Sequence, residues 1–386
     1  MPEAAVYLDN NATTRLAPEA LEAMLPYLGE QFGNAGSGHT LGRLSEGAVV
    51  VARERVSALL GCAPAELVFN SGGTEGINHA FRGVFEALPA KRHFVTTAVE
   101  HSAVLACVDW LRRQGAQVTI LGVDAQGRLD LAALEAALTP DTAMVSVMAA
   151  NNETGVRFTL EEIGGLVKAR GILFHVDGTQ ALGKVPVDLA RIPADLFNFS
   201  GHKFHGPKGV GGLFLRRGLR LRPFMIGGGQ ERGRRGGTEN VPGLVGLGVA
   251  ADLARTHLAG DSRVGPLRDR LEAFILDHIP GSTVHGAQAP RVPNTSMISF
   301  ADVEGEAVLL RLDEAGICVS TGSACTTGQK EASHVLRAMG APDALGAVRF
   351  SLSRYTTEAE VARVEAVLPG ILEGLRGQGG LARRQA

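Results

Sequence analysis

From Leu41 to Leu258 the sequence alternates short apolar runs with longer stretches of helical periodicity, and no other feature restricts the fold as much. Strand candidates fall at Glu66 to Phe69, His93 to Thr97, Gln117 to Leu121, Ala143 to Ala149, Ile172 to Val176, Asp195 to Phe199 and Gly212 to Leu215. Leu41 to Leu60, closed by Gly61, reads as an amphipathic helix, as do Thr74 to Leu88 and Val241 to Leu258. Strands separated by helices predict an α/β fold with a mostly parallel sheet covered by helices. The polar Gly260-Asp261-Ser262 reads as a linker, and the rhythm then changes. Helices near Val264 to His278 and Gly305 to Ala315, strands near Thr283-Val284 and Ser296 to Phe300, and a last strand and helix after Ala347 predict a smaller α+β domain. The expected division is a large domain over 15–258 and a small one built from 259–386 joined by residues 1–14.

The chain has 386 residues, 45% hydrophobic and 20% charged, which excludes a disordered chain. Lys+Arg 38 against Asp+Glu 40 leaves a net charge of -2, so no global field draws in nucleic acid. No window reaches the ~18 uninterrupted apolar residues of a membrane span, and the N-terminus lacks a basic flank. A cytoplasmic location is expected. The cysteines at 62, 107, 318 and 325 show no C-x-x-C spacing, so neither a disulfide framework nor a metal site is expected. Glycine is abundant, with 50 residues, and gathers at segment ends where backbone turns tightly or approaches a ligand.

Five stretches carry candidate chemistry. Asn70-Ser71-Gly72-Gly73-Thr74-Glu75 joins a strand to a helix start, where free N–H groups and the Thr74 hydroxyl favour phosphate; a plain turn with Thr74 as N-cap is the simpler reading. The apolar run from Ile172 ends in Asp177, which sets a carboxylate at the mouth of the sheet, suited to a protonated ring nitrogen or to an arginine. Ser200-Gly201-His202-Lys203-Phe204-His205-Gly206-Pro207-Lys208 brings a hydroxyl, imidazoles and two lysines, tools for a phosphate and for an amine nucleophile whose proton is loosened by cationic neighbours. Physics does not choose between Lys203 and Lys208, although Lys203 sits nearer a rigid strand end. Cys318 reads as a packed apolar residue, whereas Cys325 lies in a glycine-rich polar stretch that suits a reactive thiol or an ordinary surface cysteine. Glycines interleaved with Arg232, Arg234 and Arg235 suit an anion site, a subunit interface or a solvated loop. His101, after another strand, is by itself more often structural than catalytic.

In this order the stretches resemble the cysteine desulfurases, pyridoxal-phosphate enzymes with the type I transferase fold of the aspartate aminotransferase superfamily. The resemblance runs from Tyr7-Leu8-Asp9-Asn10-Asn11 to Arg349-Phe350-Ser351-Leu352 and is carried best by Ser200 to Lys203, Arg234 to Asn240 and Thr321 to Cys325. It implies that Lys203 holds the cofactor covalently, that Asp177 pairs with its ring nitrogen, and that Asn152 and Gln180 serve its ring oxygen. It implies that His101 stacks on the ring and carries protons, and that Thr74, Ser200 and His202 cup the phosphate. Thr238 would reach the phosphate of a second subunit, which implies a homodimer. Arg349, with Asn152, would bind the carboxylate of L-cysteine, and Cys325 would take up the sulfur as a persulfide, for iron–sulfur cluster assembly or another acceptor protein. The stretch from Ser320 to Leu336 resembles the long loop of members that feed iron–sulfur assembly, and no extended scaffold-docking tail is recognised after the last helix. Thr154 and Asn34-Ala35-Gly36-Ser37 depart from the family pattern without removing a catalytic group. The nearest rivals are a selenocysteine lyase, or another lyase or aminotransferase on this fold, which would not need Cys325. A non-catalytic scaffold for sulfur-trafficking partners is argued against by the intact Lys203, Asp177 and Cys325, and a dehydrogenase by the lack of G-x-G-x-x-G after the first strands.

Overall fold

The computed structural model describes residues 5–260, 262–321, 333–341 and 346–385, with 378–385 in backbone only. Seven strands form the main sheet: β2 (Leu67–Asn70), β3 (His93–Thr97), β4 (Gln117–Leu121), β5 (Thr142–Met148), β6 (Leu173–Asp177), β7 (Leu196–Ser200) and β8 (Gly211–Leu215). Their order is β2-β8-β7-β6-β5-β3-β4. All pairings are parallel except those of β8, which runs antiparallel to both β2 and β7. The boundaries match the sequence expectation to within a residue or so, most clearly where an apolar run is stopped by a polar or glycine residue, as in β6, β7 and β4.

Helices cover both faces, which explains why β5 and β7 are buried along their whole length and β6 from Phe174 onward. On one face α3 (Gly73–Ala87) and α4 (Ser102–Arg113) bury Ile77, Phe81, Val84, Val104, Val108 and Leu111 against Phe94, Met144 and Leu213. On the other, α2 (Thr40–Leu60), α6 (Leu160–Lys168) and α7 (Val241–Ala259) close over Val145, Phe174, Phe197 and Phe199. Gly61 ends α2 at φ 65°, a left-handed conformation that costs glycine little. At the start of α3 the sequence reading is corrected. Thr74 is not the N-cap; Gly72 is, at φ 137°, and Thr74 lies inside the first turn. A side chain at position 72 would strain that backbone, and a hydroxyl one residue past the helix start points outward rather than capping.

A second hydrophobic core gathers Val6 and Leu8 with Leu271, Ile298, Phe300, Leu312, Ile317, Phe350, Val364 and Leu368. It is organised by a three-stranded antiparallel sheet of β9 (Ser282–Val284), β10 (Thr295–Phe300) and β12 (Ala347–Ser351), packed by α8 (Val264–His278), α9 (Gly305–Glu314) and α11 (Glu358–Gln385). The N-terminal strand β1 (Val6–Tyr7) pairs in parallel with β11 (Ile317–Cys318). Residues just after β1 therefore run along the seam between the two cores. Asn10 N donates to Ser351 O, and Thr14 N donates to His202 O on the opposite side.

Candidate active site

At the carboxyl ends of the parallel strands lies a cavity of ≈ 160 Å³ walled by Gly73, Thr74, His101, Met148, Asn152, Asp177, Gln180, Ser200, His202 and Lys203, among others. Open α/β sheets bind ligands at this edge because strand ends deliver side chains there from a rigid frame. Asp177 closes β6 and Ser200 closes β7. Lys203 ends the short 3-10 turn that follows β7. His101 is the N-cap of α4 and accepts from Ala103 N through Nδ1. The two lysines that the sequence left open are now distinguished by place. Lys203 lines this cavity, whereas Lys208 lines a wider outer depression with Ser71, Thr74, Ser200 and His202.

The electrostatics separate an acid from bases held neutral. Asp177 Oδ1 accepts from Asn198 Nδ2 at 2.8 Å and from Thr179 N at 3.1 Å. Burial lowers the pKa of His101, only partly opposed by Asp177. Burial together with the nearby charges of Lys203 and Lys208 pushes His202 down to about 4, and its Nδ1 meets Thr13 Oγ1 at 3.0 Å. Behind these, burial drives the carboxyl of Glu100 up to about 8, although Thr97 Oγ1 and Met148 N both donate to its Oε1. Lys203 Nζ donates to the main-chain oxygens of Asn11 and Ala12, at 2.7 and 2.8 Å.

The far wall belongs to the seam. Arg349, on β12 and only 3% exposed, donates through Nη1 to Asn152 O at 3.0 Å and pairs through Nη2 with Asp9 Oδ1 at 2.7 Å. Its Nε is buried with no partner among the described residues, so one guanidinium N–H, on the residue behind Asn152, is left for an acceptor. Asn11, which the sequence reading did not single out, joins the parts. Its Nδ2 donates to Asn152 O and Thr295 Oγ1, and its Oδ1 accepts from Lys184 and Asn294. Lys184 also donates to Gln180 Oε1, which turns the carboxamide so that Nε2 donates to Asn11 O. Burial, reinforced by Lys203 and Arg349, holds Lys184 well below the usual lysine range. A lysine four residues after Gln180 on the same short turn was the one available signal.

Pyridoxal phosphate fits this set. An acid with one oxygen tied back, a lysine and an imidazole share one cavity, and small groups leave room at its phosphate end. A Cβ on Gly73 would stand 3.0 Å from Thr179 Oγ1, at the close-contact limit. Thr74, Ser200 and His202 lie together where the phosphate would sit. Thr238 stands apart, in a separate hollow with Glu231, Arg235 and Asn240. Cys325 lies outside the described residues. Downstream of it, Ser333 donates to Glu153 Oε2 and His334 Nε2 donates to Glu100 O at 2.9 Å, so α10 (His334–Ala338) starts against the cavity's rear wall. No group of His, Cys, Asp and Glu among the described residues is placed to hold a metal ion.

The sequence profile described as aminotransferase class-V matches residues 6–364. A protein named cysteine desulfurase 2 from Trichormus variabilis is 54% identical over 96% of this chain and 94% of its own length. A cysteine desulfurase from Klebsiella pneumoniae is 49% identical over 96% and 94%. Among solved structures, a NifS-like protein superposes with a TM-score of 0.90 at 39% identity, covering 96% of this chain and 100% of its own. A structure described as SspA in complex with cysteine superposes with a TM-score of 0.81 at 32% identity, over 91% and 99%.

Proposed function

The chain belongs to the class-V aminotransferases, and from that premise we propose how it works as a pyridoxal-phosphate-dependent cysteine desulfurase converting L-cysteine to L-alanine. The observation that carries the assignment of roles is the convergence of Lys203, Asp177 and His101 on one cavity beside Arg349 and Asn152. The cofactor, when bound, supplies an electron sink conjugated to the substrate α-carbon. Lys203 would hold it covalently and could then move the α-proton of the substrate, and Asp177 would pair with its ring nitrogen. Gln180 and Asn152 would serve its ring oxygen, and Thr74, Ser200 and His202 would hold its phosphate. His101, whose pKa is lowered by burial, would lie against the ring and carry a proton. The buried edge of Arg349 takes the substrate carboxylate, with Asn152 fixing its orientation.

Cys325 is the proposed sulfur acceptor. Its thiolate attacks the substrate sulfur, an S–S bond forms and the carbon–sulfur bond breaks. The bonding pair stays with the carbon fragment, which is protonated and leaves as alanine, while the enzyme keeps a persulfide for an acceptor such as an iron–sulfur assembly protein. A homodimer, in which Thr238 serves the partner's phosphate, is supported by an exposed apolar stripe of Leu21, Leu25, Leu28 and Phe32 on and after α1 (Pro18–Leu28). Ile226, 90% exposed near the arginine loop, adds to that surface. The second hydrophobic core supports the division into 15–258 and a small domain of 1–14 plus 259–386. A cytoplasmic location remains the reading; no helix among the described residues is long and apolar enough to cross a membrane.

Brief exposure to cysteine followed by mass spectrometry tests the central step. One added sulfur on Cys325 is expected, and Cys325→Ala should abolish it together with alanine release. Full alanine production by Cys325→Ala would overturn the persulfide route and favour a lyase that needs no thiol.

A further inference from the structure

Two central strands each carry a buried polar residue flanked by apolar ones, one turn of the pleat before the polar residue that ends the strand: Phe174-His175-Val176 in β6 and Phe197-Asn198-Phe199 in β7. Neither faces solvent, and both are fully bonded. Asn198 Nδ2 lies 2.8 Å from Asp177 Oδ1, His175 Nε2 lies 2.8 Å from Asn198 Oδ1, and His175 Nδ1 lies 2.8 Å from Ser146 Oγ. The polarity of this chain follows from its end. A carboxylate only accepts, so the Asn198 atom facing it is the NH2 group, and the opposite end of the amide is the oxygen. His175 must then carry its proton on Nε2. Burial pushes His175 down to about 4, so the ring is neutral at physiological pH, Nδ1 is bare and the Ser146 hydroxyl donates to it. Phe81 packs edge-on at 5.7 Å and holds the ring in plane.

We propose that His175 and Asn198 are positioning residues, and that the directed chain from Ser146 through His175 and Asn198 fixes Asp177 by its Oδ1 so that its other oxygen meets the cofactor's ring nitrogen. Every link donates toward Asp177, which stabilises the negative charge that a protonated ring nitrogen requires. The amide has a particular use at the last link. An imidazole touching the carboxylate directly could trade a proton with it; an amide cannot, so the charge stays on Asp177. The bond from Thr179 N to the same oxygen adds a second anchor and leaves Oδ2 with no partner among the described residues.

This rests on the cavity being a pyridoxal-phosphate site, so the test separates the two claims. Nitrogen-15 NMR of histidine-labelled, cofactor-free protein, with the His175 signal identified by its loss in His175→Gln, should show a neutral ring protonated on Nε2. A ring protonated on Nδ1, or an imidazolium at neutral pH, overturns the chain whatever the cofactor does. Equilibrium dialysis against pyridoxal phosphate then compares variants whose cofactor-free forms keep a cooperative thermal transition. His175→Phe and Asn198→Leu should weaken retention roughly ten- to a hundredfold, the range for one hydrogen bond to a charged group. His175→Gln, which can keep a donor where Nε2 stood, should restore it to near the parent value. Equal retention in all three overturns the proposal. A parent protein that binds no cofactor would instead overturn the functional reading and, with it, the use assigned to this chain.

Discussion

The two walls of the cavity are built on different plans. On the Asp177 wall, groups arrive at the ends of adjacent strands in one sheet, and Asp177 itself is fixed by Asn198 on the next strand. On the Arg349 wall, residues remote in sequence meet across a seam, and Asn11 bonds Asn152, Lys184, Asn294 and Thr295 at once. A sheet edge can form from one hydrophobic core, whereas the seam exists only when two cores dock. The first plan gives rigidity to the groups proposed to hold the cofactor. The second would tie the proposed carboxylate site at Arg349 to the relative placement of the two halves.

The largest expected effect is on the sheet side. Lys203→Ala should lower turnover at least about 10³-fold, within the range of losing a general acid–base group, with folding retained. Alanine release in a single turnover measures it, and a loss of only a few fold would break the division of roles. Next, Arg349→Gln should raise KM for cysteine more than it lowers kcat, by roughly ten- to a hundredfold, the range for a charge-assisted contact. Steady-state kinetics decide this, and a pure kcat effect would place Arg349 in the chemistry rather than in binding. Lys184→Met should cost about 1–3 kcal/mol by leaving Asn11 Oδ1 and Gln180 Oε1 short of a donor. Urea unfolding reports it, and an unchanged midpoint would show that the seam does not depend on this amine.

The smallest effect on turnover is expected from Glu100→Gln, whose signature is in pH. The folded pKa of Glu100 is raised from 4.5 to about 8, so the folded state holds this proton more tightly than the unfolded one. The associated stability is fully present below 4.5 and is lost as pH rises toward 8. Glutamine keeps the acceptor for Thr97 and Met148 N without that proton. The variant should match the parent in thermal unfolding near pH 5 and exceed it above pH 8; parallel profiles would refute the buried neutral acid.

Much of the sheet wall was legible in the sequence. An apolar run ending in a carboxylate or a hydroxyl marks a strand mouth, and Asp177 and Ser200 stand there. The sequence favours Lys203 over Lys208 by its nearness to the strand end and by the family resemblance, and the turn after β7 does put Lys203 in the cavity and Lys208 in the outer depression. Thr74 was misplaced as a cap because a glycine at φ 137° serves there, a backbone state that residue type alone does not reveal. The seam was largely hidden. Asn11 acquires meaning only from partners elsewhere in the chain, and Lys184 does so only in part, since Gln180 lies four residues before it. His175 and Asn198 did leave a trace, as polar residues flanked on both sides by apolar ones in the middle of buried strands. A polar side chain in such a run must find its partners inside the protein, so its presence there already implies a buried network.

The pairing of Val6 with Ile317, and of Asn10 with Ser351, has a consequence during synthesis. Val6 and Asn10 are made well before their partners, which lie more than three hundred residues further along the chain, so they cannot be seated until those strands exist. The large sheet can assemble meanwhile, with Lys203 not yet anchored on Asn11 and Ala12. The side of the pocket that faces the seam is therefore completed by the same late pairing that seats residues 6–10.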